Sequence, residues 1–265
     1  MVIHSAFDPS FLWLPPVGMG IGLLVTMFGG GGGFFYVPIL TLLFHIPTQA
    51  AVTTSLVSTI PTGVVGAIEH HRKGNIHFRI GLLFGIAGLA GALIGTYVSS
   101  LVSSASLQKL FGVYALLLTI PMILSSRKRF RKTEDQEKTI DPLTKGKIFL
   151  GIFFGILSGL MAGLFGTSGT ATIVAGLYIL DLPVTAVVGT SVLIVLFNAI
   201  SGSIGHMIAG QIDVEPVLLL GSGAMIGAFL GPRILAKIDI QTLEKAYGVL
   251  FTLLVVGFGI AMILK

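Results

Sequence analysis

The chain of 265 residues contains no cysteine, which excludes disulfide scaffolds, thiol catalysis and cysteine-ligated metals. Charge is almost as scarce. Asp, Glu, Lys and Arg make up 10% of the residues, where a globular protein carries about 25%. No Asp or Glu falls in the middle of an apolar segment, so the carboxylate relay common in proton-driven pumps is not visible. The six histidines are scattered, and His70-His71 is adjacent rather than spaced along one helix face, so no metal site is expected. No nucleophile–base pair can be assembled either, and the chain is read as a non-enzyme without cofactor. The start, Met1 to Ser10, lacks the basic region of a secretory signal and carries Asp8 instead. There is no lipidation signal.

What is present is apolar surface. Hydrophobic residues make up 54% of the chain, and the mean hydropathy is +0.97. Residues 80–108, 148–180 and 182–212 carry no charge, and each run exceeds the roughly 20 residues a spanning helix needs. The expected fold is an all-α polytopic membrane protein, with the lipid bilayer as partner. A net charge of +5 would also suit nucleic acid. The basic residues, however, sit in loops beside apolar segments, where positive-inside topology accounts for them, so no nucleic-acid partner is expected.

One apolar segment is broken by five consecutive glycines, Gly29 to Gly33, between Phe28 and Phe34. Each glycine costs a helix about 1 kcal/mol relative to alanine. The backbone groups it frees are tolerated at membrane depth only where protein buries them or where they line a polar cavity. A second break, Phe165-Gly166-Thr167-Ser168-Gly169-Thr170, interrupts residues 148–180. Paired interruptions in corresponding halves of a chain point to a transporter's binding site.

The halves correspond in detail. Apolar segments fall at 12–44 (broken), 49–69, 79–102 and 107–125, then at 148–180 (broken), 184–208, 214–236 and 243–264. Pro47 and Pro183 lie 136 positions apart, as do Thr54-Ser55 and Thr190-Ser191, His70 and His206, Gly74 and Gly210, and Gly95 and Gly231. The expected organisation is a first membrane repeat over 12–125, a basic cytoplasmic linker over 126–147 and a second repeat over 148–264. Equivalent loops swap their charge: 70–79 carries Arg72, Lys73 and Arg79, whereas 206–215 carries Asp213 and Glu215. The swap favours inverted halves, each a re-entrant broken helix plus three transmembrane helices. That gives six crossings and two hairpins, with loops 71–79 and 126–147 cytoplasmic. The rival is eight crossings with parallel halves.

The half-helices beginning near Phe34 and Ala171 would each present unpaired N–H groups and a positive dipole end, which suit an anion. Candidate substrate-binding residues are therefore Gly30, Gly31, Gly32 and Gly33 in the first break and Thr167, Ser168, Gly169 and Thr170 in the second. Thr54, Ser55, Thr190 and Ser191 could donate hydroxyls to the same ligand, or could bond the preceding turn. Asn198 needs a partner inside its span, either a neighbouring helix or the substrate. Glu69, His70, His206 and Arg233, near span ends, are candidates for gating or coupling, although the histidines read more readily as interfacial residues. Gly151, Gly155, Gly159 and Gly163 recur every fourth residue, as do Gly223, Gly227 and Gly231. Such stripes let helices approach closely, within the chain or in a homodimer.

Several of these residues together resemble one family. A glycine-rich break leading into Val37-Pro38 is followed by Thr54-Ser55-Leu56, by His70 with Gly74-Asn75-Ile76, and by Gly91-Ala92 with Gly95. The pattern returns as Gly166-Thr167-Ser168-Gly169, Gly189-Thr190-Ser191, His206 with Gly210-Gln211-Ile212-Asp213, and Gly227-Ala228 with Gly231-Pro232-Arg233. Outside the linker the chain resembles the TauE/SafE membrane permeases, the sulfite exporter family. The resemblance implies a prokaryotic plasma-membrane transporter moving sulfite, sulfonates such as sulfoacetate, or other small sulfur-containing anions outward. It implies a site at the two breaks and the Thr-Ser pairs. An anion channel using the same two breaks as its filter is the alternative.

Overall fold

A computed structural model describes residues 9–28, 33–129, 144–210, 213–235 and 240–265. After a short 3₁₀ turn, Pro9–Trp13, the described residues form ten helices and no strand. They are α1 (Leu14–Phe28), α2 (Gly33–Leu42), α3 (Thr48–Arg72), α4 (Phe78–Leu101), α5 (Ser104–Arg129), α6 (Lys145–Phe165), α7 (Thr170–Ile179), α8 (Val184–Ile208), α9 (Val214–Leu235) and α10 (Ile240–Leu264). Five helices among these residues are long and apolar enough to cross a membrane: α3, α4, α6, most of α8 and the first part of α9. Helix extends into both ends of the expected linker, because α5 runs on to Arg129 and α6 begins at Lys145. Residues 130–143 lie outside the described set.

The surface is apolar, and polar side chains lie buried beside the hydrophobic core. Leu101, Phe149 and Ile208 are exposed, whereas Thr54, Ser55, Asn198 and His206 are buried. In a hydrocarbon surround nothing drives apolar side chains inward, and polar groups must find partners within the protein. This is a multi-pass membrane protein.

The expected glycine stripes are spent within the chain. A Cβ on Gly91 would meet the backbone of Ile156, one on Gly95 that of Leu160, and one on Gly163 that of Ala92. Helices α4 and α6 are thus in backbone contact, and the rising residue numbers on both sides make them parallel. Gly223 meets Pro15 and Gly227 meets Met19 in the same manner, so α9 and α1 are also parallel. In contrast, Gly63 faces Leu196, Gly66 faces Val192 and Gly202 faces Leu56, which makes α3 and α8 antiparallel. Helices α5 and α10 are antiparallel too, with Gly112 against Gly259 and Gln108 bonded to the Met262 carbonyl at 3.2 Å.

Helix α6 pairs with α8 in parallel, through Ser158 with Asn198 and Gly163 with His206. The chain must therefore come back between them, and α7 brings it back. Gly169 lies against Ser158 and Gly176 against Phe154, so α7 runs opposite to α6. Leu177 and Leu180 then share a buried cluster with Leu150 near the start of α6. One end of the molecule thus gathers Arg72, Lys73, Arg79, Lys145 and Lys147. The other gathers Asp213, Glu215, Lys109 and Lys265.

Candidate functional site

The turn between α6 and α7 passes through the left-handed region three times, at Gly166 (φ 67°), Ser168 (φ 59°) and Gly169 (φ 68°). Glycine adopts this conformation freely, but a serine does so at a cost of about 1–3 kcal/mol, and such outliers gather at functional sites. Gly166 closes α6 by donating its N–H to the Ala162 carbonyl at 2.7 Å. Gly169 opens α7 and, having no side chain, supplies no side-chain cap.

Around this turn the described residues place hydroxyls and amides where solvent does not reach. Ser55 on α3 donates to the Gly166 carbonyl at 2.8 Å. Asn198 on α8 donates to Ser158 Oγ at 3.2 Å and to the Ser168 carbonyl at 3.4 Å. Ser158 in turn donates to the Gly155 carbonyl at 2.8 Å. Two buried polar atoms here have no partner, Ser168 Oγ and Asn198 Oδ1. A buried polar atom left unpaired costs about 1–3 kcal/mol, so an unpaired hydroxyl beside an uncapped helix start is what a ligand would satisfy. Asn198 Oδ1 lies against Gly88 on α4, where an added Cβ would overlap it.

Asn198 lies about 21 Å from the start of α8 and about 15 Å from its end at 1.5 Å per residue. The cluster lies near the middle of this membrane-length helix.

An aromatic group joins this turn to the first break. The Phe111 ring on α5 lies 5.6 Å from Phe34, near the start of α2, and 6.0 Å from Phe165, the last residue of α6. Tyr114 stacks on Phe165 at 4.8 Å and reaches the Thr167 side chain. The two interrupted segments therefore meet at one ring.

The expected site residues divide as follows. Ser55, Thr167, Ser168, Gly169 and Asn198 come together, with Thr170 opening α7, and Thr54 is buried beside Ser55 on α3. Asn198 bonds neighbours, the first of its two expected roles. Thr190 and Ser191 do not join the cluster. Thr190 Oγ1 accepts the His77 N–H at 2.9 Å, about 12 Å along α8 from Asn198, and Ser191 bonds the Val188 carbonyl at 2.8 Å. Gly30, Gly31 and Gly32 lie outside the described residues, as does the side chain of Arg233, and Gly33 is the first residue of α2. Glu69 pairs with Arg72 at 3.5 Å at the end of α3.

His206 lies near the end of α8, as expected, and is fully buried, with Nε2 2.8 Å from the Gly163 carbonyl, because parallel packing sets this part of α8 against the end of α6. Sequence reasoning missed Ser158 and the Phe34–Phe111–Phe165 group. Ser158 is the polar residue inside a glycine stripe that reads as packing, and its position beside Gly159 was the available signal.

A polytopic helical protein with a polar, helix-broken centre beside the middle of a membrane-length helix belongs to the class of membrane transporters. The comparisons with known proteins narrow this. Residues 14–258 match the family described as sulfite exporter TauE/SafE. The chain is 30% identical over 250 residues to the probable membrane transporter protein YunE of Bacillus subtilis, covering 88% of this chain and 92% of that one. It is 29% identical over 258 residues to the probable membrane transporter protein MJ0441 of Methanocaldococcus jannaschii, covering 90% and 92%. No solved structure matches. The chain belongs to the TauE/SafE family, and it is a membrane transporter.

Proposed function

We propose that this protein is a secondary transporter that exports a small sulfur-containing oxyanion, sulfite or a sulfonate such as sulfoacetate, across the plasma membrane of a prokaryote. The observation that carries the reading is the uncapped start of α7 beside the middle of α8, with the unpartnered Ser168 hydroxyl and the Asn198 amide beside it. First-turn amides and the Ser168 hydroxyl are donors, and a helix start carries partial positive charge. Neutral donors hold an oxyanion in place yet let it leave.

The architecture is two inverted repeats, 12–125 and 148–264. Exchanging the first five helices for the last five carries the α4–α6 contact onto α9–α1 and the α4–α8 contact onto α9–α3. Equivalent helices α3 and α8 oppose one another, as a two-fold axis in the membrane plane requires. Left-handed residues recur 136 positions apart, at His45 and Asp181 and at Gly74 and Gly210. Each broken segment is a re-entrant hairpin, which leaves six crossings: α3, α4, α5, α8, α9 and α10. The end rich in Arg72, Lys73, Arg79, Lys145 and Lys147 faces the cytoplasm.

With the interior negative, moving one negative charge outward is favourable by about 2.3 kcal/mol per 100 mV, so export needs no proton. Sulfite efflux from proteoliposomes under an imposed potential tests the reading. Saturable, potential-sensitive efflux that falls at least about tenfold in Ser168→Ala and in Asn198→Leu would support it, since one lost charged-group hydrogen bond is worth about 1.5–3 kcal/mol. Normal efflux in both variants would place the anion elsewhere. Large unsaturable currents would make the protein a channel.

A further inference from the structure

His206 and His70 stand at corresponding places in the two halves, but they are bonded differently. His206 sits two residues before the end of α8, and its Nε2 lies 2.8 Å from the Gly163 carbonyl. A carbonyl only accepts, so Nε2 carries the proton in this contact. Gly163 is among the last four residues of α6, whose carbonyls lack the next helical turn as donor. The imidazole therefore caps the end of the broken helix from a neighbouring helix, three residues before the left-handed Gly166. His70 likewise sits two residues before the end of α3, and its Nδ1 lies 3.4 Å from the Asn75 amide. Its Nε2 is buried and has no partner. Across the break the offset between halves is 137, since Gly202 lies against Gly163 and Gly66 against Thr26, so the carbonyl corresponding to Gly163 is that of Thr26, in the last turn of α1 before the first glycine break, and His70 Nε2 does not bond it.

Because α3 and α8 are antiparallel, the two histidines lie at opposite ends of the molecule. One end is latched by its histidine and the other is not. Inverted repeats alternate access by exchanging the conformations of their halves. We propose that His206 and His70 are reciprocal positioning residues of the transport cycle. His206 caps α6 in the state seen here. In the opposite state His70 Nε2 donates to the Thr26 carbonyl while His206 lets go of Gly163, so each break is held only while its own end is closed. A neutral imidazole suffices at both places. This proposal rests on the inverted-repeat reading above.

The natural absence of cysteine allows a clean test. Ser203 lies one turn before His206 on α8 and is buried, so Ser203→Cys, close in size, reports opening at that end by its rate of reaction with a hydrophilic thiol reagent. In detergent, where both ends are open to reagent, His206→Ala should raise the labelling rate about three- to tenfold, the population shift that one hydrogen bond supports. His70→Ala should lower it below the parent rate, because it weakens the opposite state. The double variant should return toward the parent, and His206→Gln, which keeps a donor, should restore part of the protection. A merely structural histidine would not produce shifts of opposite sign. Increases in both single variants, or no change in either, would overturn the proposal. The face from which sealed vesicles label Ser203→Cys reads the membrane orientation separately, so an error there is distinguishable from an error in the latch.

Discussion

The Ser55 hydroxyl donates to the Gly166 carbonyl at 2.8 Å across 111 residues of chain, tying the second turn of α3 to the point where α6 ends. The bond is buried at both partners. Ser55→Ala would leave that carbonyl unpaired in a site without solvent, at about 1–3 kcal/mol. The variant should melt several degrees below the parent in detergent. An unchanged melting temperature would mean that another donor takes the carbonyl.

Ser168 combines a left-handed backbone (φ 59°) with a buried, unpartnered hydroxyl. Ser168→Gly should relieve about 1 kcal/mol of backbone strain while removing a ligand donor. Stability is expected to rise slightly and sulfite affinity to fall, whereas Ser168→Ala should lose affinity without the gain in stability. Melting curves and transport KM on the same preparations separate the two effects. If affinity survives in both variants, the hydroxyl is not a donor to the anion.

Asn198 is fully buried beside the uncapped start of α7. Asn198→Asp keeps the shape but places a carboxyl where an anion should bind, so transport should fall more than tenfold, by more than about 1.4 kcal/mol. Retained transport at neutral pH would argue that the substrate does not approach this amide.

Gly159 touches the Gly88 backbone, and a Cβ there would overlap its carbonyl. Gly159→Leu would force α4 and α6 apart, and little folded protein should be recovered. Gly146 meets nothing within 4 Å. Gly146→Ala should be neutral or stabilising by up to about 1 kcal/mol, from helix propensity alone. Size-exclusion profiles of the two variants make the comparison.

The elements themselves were legible in the sequence because they depend on local chemistry. Long uncharged runs make spans wherever hydrocarbon surrounds the chain, and glycines stop a helix wherever they cluster. Helix α8 begins and ends where the apolar run does, at 184 and 208, and α7 opens at Thr170, beside the start anticipated near Ala171. The likeness of Thr54-Ser55 to Thr190-Ser191 was equally readable.

Their divergent surroundings were not. Ser55 meets the break of the other half, whereas Thr190 meets the amide of His77. Which residues face one another across helices depends on the direction and rotation of each helix, and no local pattern specifies either. The Gly155-Gly159-Gly163 stripe signals that some helix will come close. Only the tertiary structure makes that helix α4, running parallel, which draws Ser158 to Asn198 and buries His206 against Gly163. Composition and spacing determined a helical membrane protein with two broken segments. Packing decided that one break would carry hydroxyls, an amide and an open helix start to the same point.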